Sequence, residues 1–238
     1  MFKDSADFRR IASGTLLIVA PLLQAIAVII DPGTWGDDRE AVSFGDNPAL
    51  AQAQSALYHW AYLLMALVAI ALLHVMRRRM VVFGHVVGSL TALGYINLSG
   101  MLMIDPVEWW LGRRNTPEQS AKILDEMLNL PGVVFAFQMP WLFFAILGMP
   151  VLLVGVWRAG FTHWWVPLVV AVGYGTSLVV PYGPASVVLW GACAVAIGSL
   201  GVKVLRMSRT EWVSYYPTGY PTDAPGRTTP DSYANTTA

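Results

Sequence analysis

Apolar residues along the chain fall into six long runs that are separated by polar segments. Each run holds about twenty apolar residues, the length that crosses roughly 30 Å of hydrocarbon as an α-helix. The pattern therefore predicts an all-α fold, a polytopic integral membrane bundle with six transmembrane helices. The predicted spans lie near residues 11–31, 55–76, 80–104, 132–157, 163–181 and 184–205, within a transmembrane domain of residues 11–208.

Positive charge is unevenly distributed over the two sides that six alternating spans define. Eleven of the fifteen Lys and Arg residues lie on the side of both termini, and ten of the fifteen acidic residues lie on the other side. Because Lys and Arg are enriched in cytoplasmic loops, we expect both termini in the cytoplasm, in a multi-pass protein of a bacterial-type cytoplasmic (plasma) membrane. A short N-terminal segment, residues 1–10, is then cytoplasmic. The same holds for residues 209–238, whose Pro, Thr, Tyr and Gly content predicts a disordered tail.

One outer loop carries the signature of a helix. In the motif NTPEQ, Thr116 can cap a helix and Pro117 suits its first position. The residues that follow place Ile123, Leu124 and Leu128 on one apolar face at helical spacing. The sequence therefore predicts a short amphipathic helix in this loop.

Composition agrees with a membrane location and restricts the partners and metal sites that the protein could have. Hydrophobic residues make up 55% of the chain and charged residues 13%, which is far from the usage of a soluble domain. The formal net charge is zero, so no nucleic-acid partner is expected. The single cysteine, Cys193, excludes an intramolecular disulfide and a cluster of thiolate metal ligands. We expect membrane lipids as partners; no particular cofactor is indicated, and a homo- or hetero-oligomer is an open alternative.

Five polar residues from five predicted helices form the first candidate site. Counted from the outer helix ends at about 1.5 Å per residue, they lie in one layer roughly 6–12 Å deep. They are Gln24, His59, Asn97, Gln138 and Tyr174. Polar groups inside membrane spans usually turn inward, so this layer can line an outward-facing pocket for a small amphipathic or lipophilic ligand, in a binding or transport-accessory protein. The alternative is that these residues form hydrogen bonds between helices.

Three carboxylates form a second candidate site. Asp31, Asp105 and Glu108 lie at the outer ends of the predicted first and third helices, where they could act with His59 as general acids and bases on a lipophilic substrate. An intramembrane enzyme with these catalytic residues is therefore an alternative function. The chain has no G-x-S-x-G, H-E-x-x-H or Walker motif. Asp31 and Asp105 each precede a proline, which also fits a purely structural helix end.

Two histidines near the inner side form a third candidate site. His74 and His85 lie on the predicted second and third helices, on either side of the turn at Arg77–Arg79. Histidines on neighbouring helices can bind a b-type haem, so a membrane electron carrier is a minor alternative. The second matched pair of histidines usual in such bundles is missing from the sequence, and no metal site is predicted.

Small residues recur along several predicted helices and indicate close packing. Gly84, Gly88 and Ala92 follow one another every four residues in the third span, which lets another helix approach closely. We expect the same role for glycines of the fifth and sixth spans. These are Gly173, Gly175, Gly191, Gly198 and Gly201.

Overall fold

The computed structural model describes residues 5–35, 48–179 and 183–214. These residues form helices and the turns between them, with no β-strand, in agreement with the all-α prediction. In chain order the helices are α1 (Ser5–Ile30), α2 (Pro32–Trp35), α3 (Pro48–Val75), α4 (Val81–Met101), α5 (Ile104–Gly112), α6 (Pro117–Leu128), α7 (Pro131–Arg158), α8 (Trp165–Ser177), α9 (Pro184–Arg206) and α10 (Arg209–Ser214).

Five helical segments of the described residues are long and apolar enough to cross a membrane. They are α1, α3, the run Val81–Gly112 that contains α4 and α5, α7 and α9. The predicted fifth span, residues 163–181, corresponds to α8, which has 13 residues and is shorter than the roughly twenty of a full crossing. The structure therefore supports a membrane bundle with five such segments, and the sixth span stays a prediction.

The outward side of the bundle is apolar. Large hydrophobic side chains on separate helices are widely exposed, among them Val82 at 78%, Phe135 at 74% and Val188 at 72%. Soluble monomers rarely leave large apolar patches open to water, whereas lipid tails accept them. This surface is suited to the hydrocarbon interior of a bilayer.

The long helices pack in a closed ring, and glycines permit some of the contacts. Helix α1 packs against α9 and α3, α3 against α4, and α4 against α7, while α8 joins α7 to α9. A Cβ atom added at Gly201 would lie 2.6 Å from the carbonyl oxygen of Gly14, so α1 and α9 cross with their backbones in contact. Added Cβ atoms at Gly88 and Gly173 would also collide with neighbouring side chains. The predicted packing role fails at three other glycines of the described segments, where an added Cβ would meet no atom within 4 Å: Gly175, Gly191 and Gly198.

Helix α7 contains two π-helical stretches, Val134–Gln138 and Trp141–Ile146, on either side of Pro140. Their hydrogen bonds join residues five positions apart, as in the bond of 3.0 Å from the Leu147 N–H to the Leu142 carbonyl. Proline has no N–H to donate, and local π-helical adjustments are one way in which a membrane helix satisfies the backbone groups that a proline leaves unpaired. The second stretch packs against α4 and carries Trp141 at its start.

Helix α6 begins at the cap that the sequence indicates. The Gln119 N–H donates to Thr116 Oγ1 at 3.4 Å, and the Thr116 N–H donates to the Gln119 side-chain oxygen at 3.2 Å. Leu124 is buried, whereas Ile123 is 43% exposed. The helix is thus amphipathic, and its position on the outer side of a membrane stays a prediction.

The bundle has a carboxylate-rich end and an arginine-rich end. Asp31 and Asp105 lie at the first, which we call the acidic end. Arg77–Arg79, in the turn between α3 and α4, lie at the second, which we call the basic end. Helix α10 packs at the basic end, because the side chain of Arg78 donates to the carbonyl of Val213 at 3.1 Å.

Both chain termini depart from the predicted boundaries. Residues 5–10 belong to α1, so the first helix begins before the predicted span. Residues Arg209–Ser214 form α10, which starts with a reciprocal cap between Ser208 and Glu211, and Trp212 is only 2% exposed. The prediction of disorder therefore fails for residues 209–214, and residues 215–238 lie outside the described part of the chain.

Candidate functional site

The predicted polar layer consists mainly of contacts between segments of the bundle. Four of its five residues are bonded to other helices or loops. The pairs are His59 Nδ1 with Ser99 Oγ at 2.8 Å, Asn97 Nδ2 with the Ala136 carbonyl at 2.9 Å, Gln138 Nε2 with the Leu128 carbonyl at 2.8 Å, and the Tyr174 hydroxyl with the Tyr95 hydroxyl at 2.8 Å. Gln24 is 2% exposed within α1. The structure does not bring the five together, and they match the alternative of hydrogen bonds between helices.

A cavity of about 270 Å³, which we call the middle cavity, lies among α3, α4, α7, α8 and α9. Its lining is almost entirely apolar or aromatic and consists of Tyr62, Leu98, Met101, Leu102, Ile104, Trp141, Ile146, Ser177, Leu178 and Trp190. The volume is at the lower end of the roughly 300–1,000 Å³ of small-molecule sites. Leu178, one of the lining residues, is 42% exposed, so the cavity borders the exposed apolar surface of the bundle.

Trp141 and Ser177 are two of the residues with polar groups in the lining of the middle cavity. The indole Nε1 of Trp141 is buried and has no acceptor among the described residues. A buried donor without a partner is costly, and a ligand that supplies an acceptor is one way to remove that cost. The hydroxyl of Ser177 donates to the carbonyl of Tyr174 at 2.7 Å, which leaves its oxygen as an acceptor.

The predicted residue Tyr174 supports the middle cavity from behind. Its ring centroid lies 4.9 Å from that of Trp190, and its hydroxyl bonds to Tyr95. Tyr95 in turn lies 6.2 Å, ring to ring, from Tyr62. Trp190 and Tyr62 line the cavity and Tyr174 and Tyr95 do not, so the sequence identified a supporting residue and missed the lining itself. The available signal was the dipeptide Pro140-Trp141 in the middle of an apolar run.

The three predicted carboxylates do lie together at the acidic end. Asp31 accepts hydrogen bonds from the Gly33 N–H at 2.8 Å and from Gln54 Nε2 at 3.2 Å. The hydroxyl of Ser55 donates to Asp105 at 2.5 Å and lies 3.3 Å from the side-chain oxygen of Gln54. A hydroxyl has one hydrogen, so the shorter bond to Asp105 is the stronger of the two. Two neighbouring residues of α3 therefore join the end of α1 to the start of α5.

Burial and mutual repulsion act on this cluster of three carboxylates. Burial raises the pKa of the Asp31 carboxyl above its ordinary value, and the bonds from Gly33 and Gln54 oppose part of that shift. The negative charges of Asp31 and Asp105 both act on Glu108. Burial thus favours retention of a proton on Asp31, which is the property that general acid–base chemistry uses.

A second cavity, of about 320 Å³, lies beside these carboxylates and is called the acidic cavity. Ala51, Gln52, Ser55, Asp105, Pro106 and Trp109 line it. Within the described residues, His59 lines neither this cavity nor the middle one. His59 is bonded to Ser99 instead, so the predicted partnership between His59 and the carboxylates is not formed.

His74 and His85, the third candidate site, lie in different environments. His85 is exposed and its Nδ1 lies 2.8 Å from the Val81 carbonyl of its own helix. The ring of His74 packs against Trp212 with 5.0 Å between centroids. No group of three or more His, Cys, Asp or Glu residues in the described segments is arranged to hold a metal ion. The structure thus gives the haem hypothesis no support.

Comparison of the chain with protein families, with curated proteins and with solved structures gives no match.

Proposed function

We propose that the protein is a membrane protein that binds a small lipophilic molecule carrying a hydrogen-bond acceptor, and that the middle cavity is the binding site. The observation that carries this proposal is an apolar cavity of about 270 Å³ whose lining includes Trp141, a residue whose indole N–H is buried and has no acceptor among the described residues. Binding sites for small molecules are mostly apolar with a few polar groups that fix orientation. The proposal moves the predicted ligand site from the polar layer to the cavity beside it.

The position of the cavity supports a ligand that arrives through lipid. Leu178 on the rim is partly exposed on the apolar outside of the bundle. The neighbouring π-helical stretch of α7 interrupts regular packing at Trp141, and π-turns are frequent at functional sites. A lipophile dissolved in the bilayer can therefore reach the cavity from the side, without passing through water.

The proposed orientation follows from charge. Arg77–Arg79 and α10 gather at the basic end, and the carboxylates gather at the opposite end. By the preference of Lys and Arg for cytoplasmic loops, the basic end faces the cytoplasm, in a bacterial-type plasma membrane. The middle cavity then lies in the outer half of the bundle, because it includes Leu98 and Met101 near the end of α4 that leads to Asp105.

The test compares two probes of equal chain length, 2-decanone and decane, of which only the ketone has an acceptor. Full-length protein is reconstituted in nanodiscs, and its unfolding temperature is measured as each probe is added. We expect 2-decanone at about 100 times its Kd to raise the unfolding temperature by roughly 5–10 °C, and decane to raise it less.

Two variants make this test specific to the cavity. Leu98→Trp fills the middle cavity and should abolish the ketone effect, whereas Leu93→Trp makes the same change at an exposed position of the same helix and should preserve it. An equal response of Leu98→Trp and the unsubstituted protein would rule out the middle cavity as the site.

The cluster of three carboxylates supports a second candidate function, an intramembrane enzyme that acts at the acidic cavity. The observation in its favour is that Asp31, Asp105 and Glu108 are brought together beside a cavity of about 320 Å³. The test follows the lipids of reconstituted vesicles over time by mass spectrometry. This function requires that the unsubstituted protein convert lipid and that Asp105→Asn abolish the conversion while retaining its unfolding temperature. Absence of conversion by the unsubstituted protein, or equal conversion by both proteins, excludes this function.

A further inference from the structure

A cavity of about 290 Å³ opens at the basic end, at the opposite end of the bundle from the carboxylates. Ala6, Arg9, His74, Arg77, Trp212 and Val213 line it. No carboxylate belongs to this lining among the described residues. Asp7 Oδ1 lies 3.8 Å from Arg10 Nη2, and Glu211 accepts the Ser208 N–H, so within the described segments the two acids that adjoin lining residues have partners outside the lining. The walls of this basic cavity therefore carry positive and neutral groups.

Arg77 is held in a fixed position within the basic cavity. Its Nη1 donates to the His74 carbonyl at 2.7 Å, its Nη2 donates to the Trp212 carbonyl, and its Cζ lies 5.3 Å from the centroid of the Trp212 ring. A guanidinium has five N–H donors, so these two bonds leave three on a side chain that lines the cavity. Its position is thus set by the fold and not by a ligand, which lowers the entropy lost when a ligand binds.

Arg9 brings a second guanidinium to the same cavity from α1. Its hydrogen bonds stay within the first turn of α1, from Nε to the Ser5 carbonyl at 3.1 Å and from Nη2 to Ser5 Oγ at 3.4 Å. Burial and the positive charges of Arg78 and Arg9 lower the pKa of Arg77, so like charges converge here without compensation by an acid of the cavity wall. An anion placed between Arg9 and Arg77 would relieve that repulsion.

We propose that the basic cavity binds the phosphate group of an anionic ligand, contacted by the guanidinium groups of Arg9 and Arg77. Arginine suits phosphate because its planar fork can donate two parallel hydrogen bonds. Two sources present this chemistry at the basic end, the head group of an anionic phospholipid and a phosphate ester dissolved in water. This site is separate from the middle cavity and does not depend on the function proposed for it.

The lipid source is tested with native mass spectra of the full-length protein in equal amounts of phosphatidylglycerol and phosphatidylcholine. We expect phosphatidylglycerol adducts to predominate and Arg9→Gln to lower their ratio to phosphatidylcholine adducts about fivefold, as for one basic residue at a membrane surface. Arg158→Gln removes the same charge from an exposed position outside the cavity and should leave the ratio unchanged. Arg77→Gln should resemble Arg9→Gln.

The soluble source is tested with millimolar inorganic phosphate, added at constant ionic strength to the same proteins in uncharged detergent. A rise in unfolding temperature that Arg9→Gln loses and Arg158→Gln keeps identifies an anion taken from water. The proposal is overturned if Arg9→Gln equals the unsubstituted protein in both assays, or if Arg158→Gln loses as much as Arg9→Gln. Arg9 is the decisive position, since Arg77→Gln also removes the bonds that hold α10.

Discussion

The hydroxyls of Tyr95 and Tyr174 lie 2.8 Å apart, fully buried, although 79 positions separate the two residues in the chain. The bond ties α4 to α8 across the ring of helices. Because Tyr174 also packs against Trp190, this pair fixes one wall of the middle cavity. It is the clearest case in which a polar residue inside a predicted span stabilises the bundle and shapes a neighbouring site.

Replacing one tyrosine of this pair should lower the free energy of unfolding by more than half of the loss that replacing both causes. Tyr174→Phe leaves the Tyr95 hydroxyl buried without a partner and should lower the free energy of unfolding by about 1–3 kcal/mol. Tyr95→Phe should have a similar effect. In Tyr95→Phe/Tyr174→Phe no orphan remains, so the loss should be clearly smaller than the sum of the single losses. Unfolding of all four proteins in the same detergent measures this coupling, and additive losses would contradict it.

Two glycines three residues apart in α9 should respond in opposite ways to alanine. Gly201→Ala forces a Cβ against the carbonyl oxygen of Gly14 and should cost about 1–3 kcal/mol of unfolding free energy. Gly198→Ala meets open space and should be neutral or stabilising by up to about 1 kcal/mol, since alanine favours helix. The unfolding temperatures of the two variants check the α1–α9 crossing. Equal destabilisation would show that the helices do not cross there.

Stability should fall with rising pH through the titration of Asp31. Because burial raises its pKa in the folded state, the folded protein binds this proton more tightly than the unfolded chain does. Below the pKa of the unfolded chain, near 3.8, Asp31 is protonated in both states and burial of its charge costs no stability. Above the pKa of the folded state, Asp31 is charged in both states and the full cost of burying that charge lowers the free energy of unfolding. Asp31→Asn should therefore reduce the loss of unfolding temperature that occurs as the pH rises above about 3.8. An identical pH profile in this variant would show that Asp31 does not titrate differently on folding.

The indole N–H of Trp141 should decide which lipophiles the middle cavity prefers. Trp141→Phe keeps an aromatic ring in the wall and removes the unpartnered donor. We expect the affinity for 2-decanone to fall about three- to tenfold, the value of one hydrogen bond, while the affinity for decane stays unchanged. Titration of both probes against both proteins provides the comparison. A loss of affinity for decane of the same size would indicate altered packing and not a lost hydrogen bond.

The helical class could be predicted from the sequence because it depends on local patterns. Apolar runs and caps such as Thr116 are encoded within a few residues. A comparable cap at Ser208 and Glu211 was present in the sequence, and the polar composition of the residues after it led to a prediction of disorder. Burial of Trp212 against His74 and Arg77 stabilises α10, and this contact depends on tertiary structure. Local composition therefore underestimates order near chain ends.

The candidate sites were predicted only in part, because depth in a membrane does not give the rotation of a helix. The sequence predicts Asp31, Asp105 and Glu108 near one end of the bundle; in the structure Asp31 directly follows α1, and Asp105 and Glu108 lie within α5. It could not show that His59 is bonded to Ser99 and not to these acids. Nor could it show the π-helical turns of α7, which follow from how Pro140 is accommodated against α4.

The most direct test of the proposed ligand is a native mass spectrum of the protein purified in mild detergent. We expect the unsubstituted protein and Leu93→Trp to retain a lipophile, visible as mass beyond the 26.0 kDa chain and extractable into organic solvent. Leu98→Trp should not retain it. Equal retention by Leu98→Trp, or a bare chain in all three proteins, would contradict the middle cavity as a ligand site.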